Sequence, residues 1–242
     1  MGGVLKSIQH AELVPFAFAT SAIAALLSPL FFGAMADRSV PPLKVMRWIC
    51  VGTALLNLLV MYVMMTAWDG WVILLCIQLQ SLLSVPTNSV SVSIVLSRLT
   101  DSQRQFGSIR AMGTLGWMSG CWLVSAVQLD ESVKTFAMSS VLWIVLAGIT
   151  FFISQKPLTI TALQQKLTVR ERLGLDAIRL LKVPKHRSIF VTVMLVAIPF
   201  AAFYPYTPAC MTDLGLTSTS AWMSLGQATE VGVMLFIGGA LA

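Results

Sequence analysis

The sequence predicts an all-α integral membrane protein, and three observations carry that prediction. Hydrophobic residues make up 57% of the 242 residues and charged residues only 11%, where soluble domains carry about 25% charged residues. Seven apolar stretches reach the roughly 20 residues that a helix needs to cross a bilayer. Finally, the basic residues fall almost entirely into alternate loops between those stretches.

The predicted spans run over 13–33, 45–65, 71–95, 109–127, 135–153, 189–210 and 220–241. Between the fifth and sixth lies one long polar stretch, 155–187. If the first loop, 34–44, faces the cytoplasm, alternate loops do so as well. Counting Arg47 and Arg110 with the loops they border, those segments hold 14 of the 16 basic residues, and only Lys6 and Lys134 fall on the other side. The opposite face carries Glu12, Asp69, Asp130, Glu131 and Asp213. The net charge of +6 therefore reflects positive-inside topology and is no footprint of nucleic-acid binding. Cys50, Cys76, Cys121 and Cys210 lie in or beside apolar runs without CxxC spacing, so they read as small packing residues. The start of the chain lacks the basic n-region and short apolar core of a cleavable signal peptide. The chain stops inside its last span and starts just before its first, which reads as an internal piece of a longer protein.

Two spans hold a charge where a bilayer makes charge costly, at roughly 2.5–3.5 kcal/mol on insertion scales. Arg110 lies in the fourth and Glu230 in the seventh. Arg110, Thr114, Trp117 and Cys121 recur at steps of four, three and four, hence on one helix face. Guanidinium, hydroxyl and indole on one stripe suit a solute with hydroxyls and an aromatic ring. The alternative for Arg110 is snorkelling to the nearby headgroups. Gly113, Gly116 and Gly120 form a second stripe that predicts close helix packing. Gln227 and Glu230 share a face at a spacing of three. A carboxyl halfway along a span favours its neutral form, because desolvation penalises charge. That suits a group that takes up and releases protons; a permanently protonated structural glutamate is the alternative.

Other spans carry weaker signals. The third contains Ser84-Val85-Pro86-Thr87-Asn88-Ser89, where proline interrupts the hydrogen-bond ladder and hydroxyls re-satisfy it. Asn88 there would offer amide contacts to a solute, or the small polar residues would pack helix on helix. The sixth, with Pro199, Pro205 and Pro208, predicts a bent or broken helix, its aromatic residues lining a cavity or forming an interfacial belt. The first span ends in Gly33-Ala34-Met35-Ala36-Asp37-Arg38, a polar helix end followed by a short basic loop. None of the nucleotide-loop, nucleophile-elbow, metal or paired-carboxylate motifs of soluble enzymes occurs, so the sequence points to no enzyme, no cofactor and no metal site.

The GxxxDR pattern at 33–38 resembles the cytoplasmic loop motif of the major facilitator superfamily, which follows the second of twelve helices. IRAMGTLGW, RLGLDAIRLLKVPKHRSIFV and MSLGQATEV, in that order and spacing, resemble segments of the nucleoside:proton symporters within that superfamily. The resemblance implies a major facilitator-type helix bundle, with seven transmembrane helices present of an expected twelve, namely helices 2 to 8. Residues 1–154 would form the N-terminal bundle, 155–187 a cytoplasmic linker between halves, and 188–242 the start of the C-terminal bundle. It implies proton-coupled import of nucleosides across the cytoplasmic (inner) membrane by alternating access, in a protein monomeric at full length. The family's nucleoside-contacting positions match Arg110, Thr114, Trp117, Gln227 and Glu230, with Glu230 coupling solute to proton. Gly33, Asp37 and Arg38 would form the conformational loop motif. Polar amides expected on the seventh family helix appear here as Ala201 and Tyr204. That departure keeps a proton-coupled carrier of sugars or other small solutes, or a transport-inactive sensor of the same fold, as alternatives.

Overall fold

The computed structural model describes residues 1–36, 41–154 and 181–240. The described residues contain helices and no strand: α1 (Gly2–Ser7), a 3₁₀ turn (Ala11–Leu13), α2 (Val14–Ala36), α3 (Pro42–Met65), α4 (Gly70–Ser84), α5 (Pro86–Leu96), α6 (Ser102–Ala126), α7 (Thr135–Phe152), α8 (Pro184–Asp213) and α9 (Thr219–Ala240). Asp37 and Arg38 of the loop motif lie outside the described residues, as does most of 155–187, while Gly33 lies within α2.

Helix α3 is the hub and packs against α7, α4 and α5. Its buried residues Met46, Cys50, Thr53, Asn57, Val60 and Met64 recur at steps of three and four, one helical stripe. The opposite face exposes Trp48, Leu55, Leu59 and Tyr62. An apolar outer face is what hydrocarbon requires, so this helix is apolar on both sides and its polar groups turn inward. Thr53 and Asn57 are almost fully buried. Ser140 donates to the Ala54 carbonyl at 2.9 Å, Thr20 and Ser81 share a hydrogen bond at 3.1 Å, and Gln78 donates to the Thr20 carbonyl at 3.3 Å. Gly52 lets α4 approach closely: a Cβ there would stand 2.8 Å from Leu83 Cδ1.

The two ends of the bundle differ in charge. At one, Arg47 donates from Nε to Thr150 Oγ1 at 3.0 Å and from a terminal nitrogen to the Thr150 carbonyl at 2.9 Å, and its guanidinium lies 4.0 Å from the Phe151 ring centre. Arg98 donates to the Ser154 carbonyl at the same end. These arginines satisfy carbonyls that the C-terminus of α7 leaves unpaired. We expect Arg47→Lys and Arg47→Ala each to lower the melting temperature in detergent, by a loss on the order of 1–3 kcal/mol. An unchanged melting temperature in Arg47→Lys would show that charge alone suffices there.

The other end gathers the acidic loops. Lys6 pairs with Asp213 at 2.9 Å, Ser7 donates to the Glu131 carbonyl at 2.8 Å, and Gly70 lies against Leu13 and His10. Segments assigned by charge to one side thus meet at one end.

Of the two forms expected for the sixth predicted span, bent or broken, the broken one is excluded: α8 runs through Pro199, Pro205 and Pro208 as one 30-residue helix. The third is interrupted at its proline as expected, α4 stopping at Ser84 and α5 starting at Pro86, because proline has no N–H to continue the ladder, and the two together make one stretch, Gly70–Leu96, long enough to span. The glycine stripe on α6, expected to pack closely, makes no close packing among the described residues, for a Cβ at Gly113, Gly116 or Gly120 would meet none of them within 4 Å. Among the described residues five stretches are long and apolar enough to cross a membrane, Ala11–Ser28, Pro42–Met65, Gly70–Leu96, Thr135–Phe152 and Pro184–Asp213.

Candidate solute site

Helices α6 and α9 are each other's principal partners. Their seam is built of Ala111, Thr114, Met118 and Ser125 on α6 and Ser224 and Val231 on α9, all buried. The pair is antiparallel: Ser125 accepts from the Ala221 N–H at 3.1 Å, whereas Ala111 and Met118 pack with Val231 and Met234.

The α9 N-terminus is capped from outside its own chain segment. A helix leaves its first four N–H groups without intrahelical partners. Asp130 Oδ1 accepts from the Ser220 N–H at 2.8 Å and from Ser125 Oγ at 3.0 Å, while Ser125 Oγ accepts from Ala221. A carboxylate at this position also complements the positive end of the helix dipole. This knot holds α9 in register with α6. Beside it a cleft of about 440 Å³ is lined by Gln128, Asp130, Glu131, Thr212 and Ser218 among others. Glu131 Oε1 there accepts from Thr212 Oγ1 at 2.8 Å.

The predicted site residues are placed by this pairing. Thr114 lies in the seam, its hydroxyl 3.4 Å from the Arg110 carbonyl. At about 100° per residue, Arg110 and Trp117 stand roughly 70° and 90° around α6 from the middle of the seam. Glu230 stands roughly 110° around α9 from the line of Ser224 and Val231, and Gln227 lies between. In an antiparallel pair these displacements fall on the same side. Arg110, Trp117, Gln227 and Glu230 therefore share one rim of the pair, with Trp117 at about the level of Glu230. The glycines of α6 lie on the side turned away from α9, which leaves open space beside Trp117. Arg110 and Trp117 are exposed, and Gln227 and Glu230 half-buried. Among the described residues no ion pair joins Arg110 to Glu230.

Helix α6 begins at Ser102, seven residues before the predicted span, so Arg110 lies more than two turns from the helix start. Asn88 is not brought to this rim: it lies on α5, exposed, in a separate groove. Ala201 and Tyr204 line a third groove, between α8 and α2. Sequence reasoning missed the Asp130–Ser125 knot, since its partners at 220 and 221 are about ninety residues away and no local motif announces them.

The family model described as "Nucleoside H+ symporter" matches residues 4–242. The chain is 30% identical over 239 residues to "Putative nucleoside transporter YegT" of Escherichia coli (strain K12), covering 95% of this chain and 54% of that protein. It is 24% identical over 246 residues to the xanthosine permease of the same organism, covering 93% and 56%. The chain thus spans about half the length of these curated relatives. In structure it resembles crystal structures of nucleoside transporter NupG. A single-residue variant of NupG matches with a TM-score of 0.79 and 20% identity over 97% of this chain and 60% of NupG. A second NupG structure gives 0.76 and 21% over 99% and 62%. That likeness gives the fold as a major facilitator-type helix bundle in a multi-pass membrane protein, and the matching family is one of transporters and not of enzymes. From the match along nearly its whole length, this chain belongs to the nucleoside H+ symporter family.

Proposed function

We propose that the protein imports nucleosides across the cytoplasmic membrane together with protons, by alternating access between two helical halves. What supports the reading is the side of the α6–α9 pair on which helical spacing puts a cation, an indole, an amide and a carboxyl in otherwise apolar spans; among the described residues Arg110 and Glu230 form no ion pair. Polar groups in such a place face a cavity or a solute. Arg110 hydrogen-bonds the solute, Trp117 stacks on its base, Gln227 holds it from α9, and Glu230 exchanges the proton, while Thr114, expected as a further ligand, stays buried in the helix seam. Protonation of Glu230 biases the conformational equilibrium to the extent that the two states solvate its charge differently. The polar stretch 155–187 is the cytoplasmic connection between halves, and 1–154 and 188–242 belong to the two halves.

The test is uptake of labelled uridine and adenosine by the full reading frame in a host without its own nucleoside uptake, at pH 5.5 and 7.5, with and without a protonophore. Uptake that collapses with the protonophore supports nucleoside–proton symport. Its absence in a protein shown to reach the membrane would sink the substrate assignment and turn the search to sugars and to a sensor role. Trp117→Ala should raise the KM for nucleosides roughly tenfold, since base–aromatic stacking is worth about 1–3 kcal/mol. Trp117→Phe should recover most of that loss; equal KM values for both variants would remove stacking from the account.

A further inference from the structure

Buried hydroxyls in this bundle are spent on protein partners. Ser140 donates to the Ala54 carbonyl, Thr150 to the Ala147 carbonyl at 2.6 Å and Ser224 to the Ala221 carbonyl at 2.7 Å, while Thr20 and Ser81 pair with each other. Among the described residues two side-chain oxygens closed to solvent depart from that pattern, Thr53 Oγ1 on α3 and Thr87 Oγ1 on α5. Thr53 as a whole is 0% exposed. A buried hydroxyl without a partner carries the full cost of its desolvation, so two of them call for a group that bonds both.

The two oxygens lie at one level of the bundle. Met46, Cys50 and Thr53 recur at steps of four and three on α3, and Thr87, Val90 and Ile94 at steps of three and four on α5. Val90 and Ile94 pack against the cluster of Met46 and Cys50. The helices run in opposite directions, so continuing each stripe by one step toward the acidic end reaches Thr53 on one and Thr87 on the other. The close approach of Gly52 to Leu83 sets the end of α4 at the same level. A third polar group lies there. Pro86 has no N–H, so the Leu82 carbonyl, which points along the helix toward it, loses the donor that an unbroken helix supplies.

We propose that Thr53 Oγ1, Thr87 Oγ1 and the Leu82 carbonyl hold one buried water molecule at the break between α4 and α5. A buried water makes about three hydrogen bonds, which two hydroxyls and a carbonyl supply. Neither stripe carries a charged residue, so a cation there would lack a counter-charge. The water gives the Leu82 carbonyl the donor that Pro86 withholds and ties α5 to the hub helix α3. This site stands on the packing of α3, α4 and α5 and is independent of the solute and proton roles proposed above.

The test is a double-mutant cycle on the full reading frame in detergent, with Thr53→Val, Thr87→Val and the double variant. Valine keeps the shape of threonine and lacks its hydroxyl. Each single variant takes one partner from the water, so its melting temperature should fall by roughly 2–6 °C. The double variant should fall by less than the sum of the two, because both act through one water. A rise in melting temperature for either single variant would overturn the site, since removing a buried hydroxyl bound to nothing is stabilising. Strictly additive losses would also overturn it, giving each hydroxyl a partner of its own.

Should the variants not reach the membrane, radiolytic footprinting of the unaltered protein reads the same site. X-rays split a bound water into hydroxyl radicals in place, and these oxidise the nearest sulfur whatever its access to bulk solvent. Cys50 lies one turn from Thr53 on the same stripe and is 0% exposed, whereas Cys76, in the separate cluster around Ile73 and Ile77, is 7% exposed. With a water at the break, Cys50 is oxidised faster than Cys76 despite its deeper burial. Oxidation of Cys50 no faster than that of Cys76 would overturn the proposal.

Discussion

Glu230→Gln should abolish proton-driven accumulation while leaving nucleoside binding nearly intact. The amide has the shape of the carboxyl and still hydrogen-bonds a solute, but it cannot gain or lose a proton at physiological pH. Each proton carried down a one-unit pH gradient supports about tenfold accumulation, since one pH unit is worth 1.36 kcal/mol. The variant should therefore bring internal nucleoside only to the external concentration, at a rate indifferent to pH 5.5 or 7.5 and to protonophore. Exchange of labelled for unlabelled nucleoside should continue, because it needs the cavity and no net proton. Accumulation equal to that of the unaltered protein would move the coupling away from Glu230. Loss of exchange as well would make this residue a solute ligand or a structural group. The separation of exchange from accumulation is what distinguishes those roles.

Asp130→Ala should loosen the helix pair that carries the site. The side chain accepts from the Ser220 N–H and from Ser125 Oγ, and it lies at the positive end of α9. Losing an N-terminal cap costs about 1 kcal/mol, with a charged partner at the dipole adding roughly 0.3–1 kcal/mol. We expect the Ser220 and Ala221 amides to exchange hydrogen roughly tenfold faster in the variant, and uptake to fall together with them. Asp130→Asn keeps an acceptor oxygen for Ser220 and should restore most of both. If Asn and Ala behave alike, the charge and not the hydrogen bond holds the junction. If exchange at 220 and 221 is unchanged in both, the knot has no part in aligning α6 with α9.

Much of this was legible in the sequence because a bilayer is an unforgiving solvent. A span must be apolar over about 20 residues, must satisfy its own backbone and must leave its cations on one side. Those are one-dimensional conditions, so the spans, their alternation and the two misplaced charges at Arg110 and Glu230 could be read without a fold. Helix boundaries were less legible: α6 begins at Ser102 and α8 at Pro184, because helix continues into polar residues where hydropathy has already ended. The continuity of α8 through three prolines likewise escaped a local rule.

By itself, then, the sequence determined the class of the protein, the course of its chain across the membrane and which residues are too costly to be idle in lipid. Only the tertiary structure decided which of them meet. Sharing a face of one helix follows from a period of 3.6 residues, but facing across two helices depends on their direction, register and rotation. Those are set here by contacts such as Ser125–Ala221 and Asp130–Ser220, formed between segments about ninety residues apart. That is why helical spacing puts Arg110, Trp117, Gln227 and Glu230 on one side of the α6–α9 pair while Asn88, equally polar in sequence, opens onto a groove of its own.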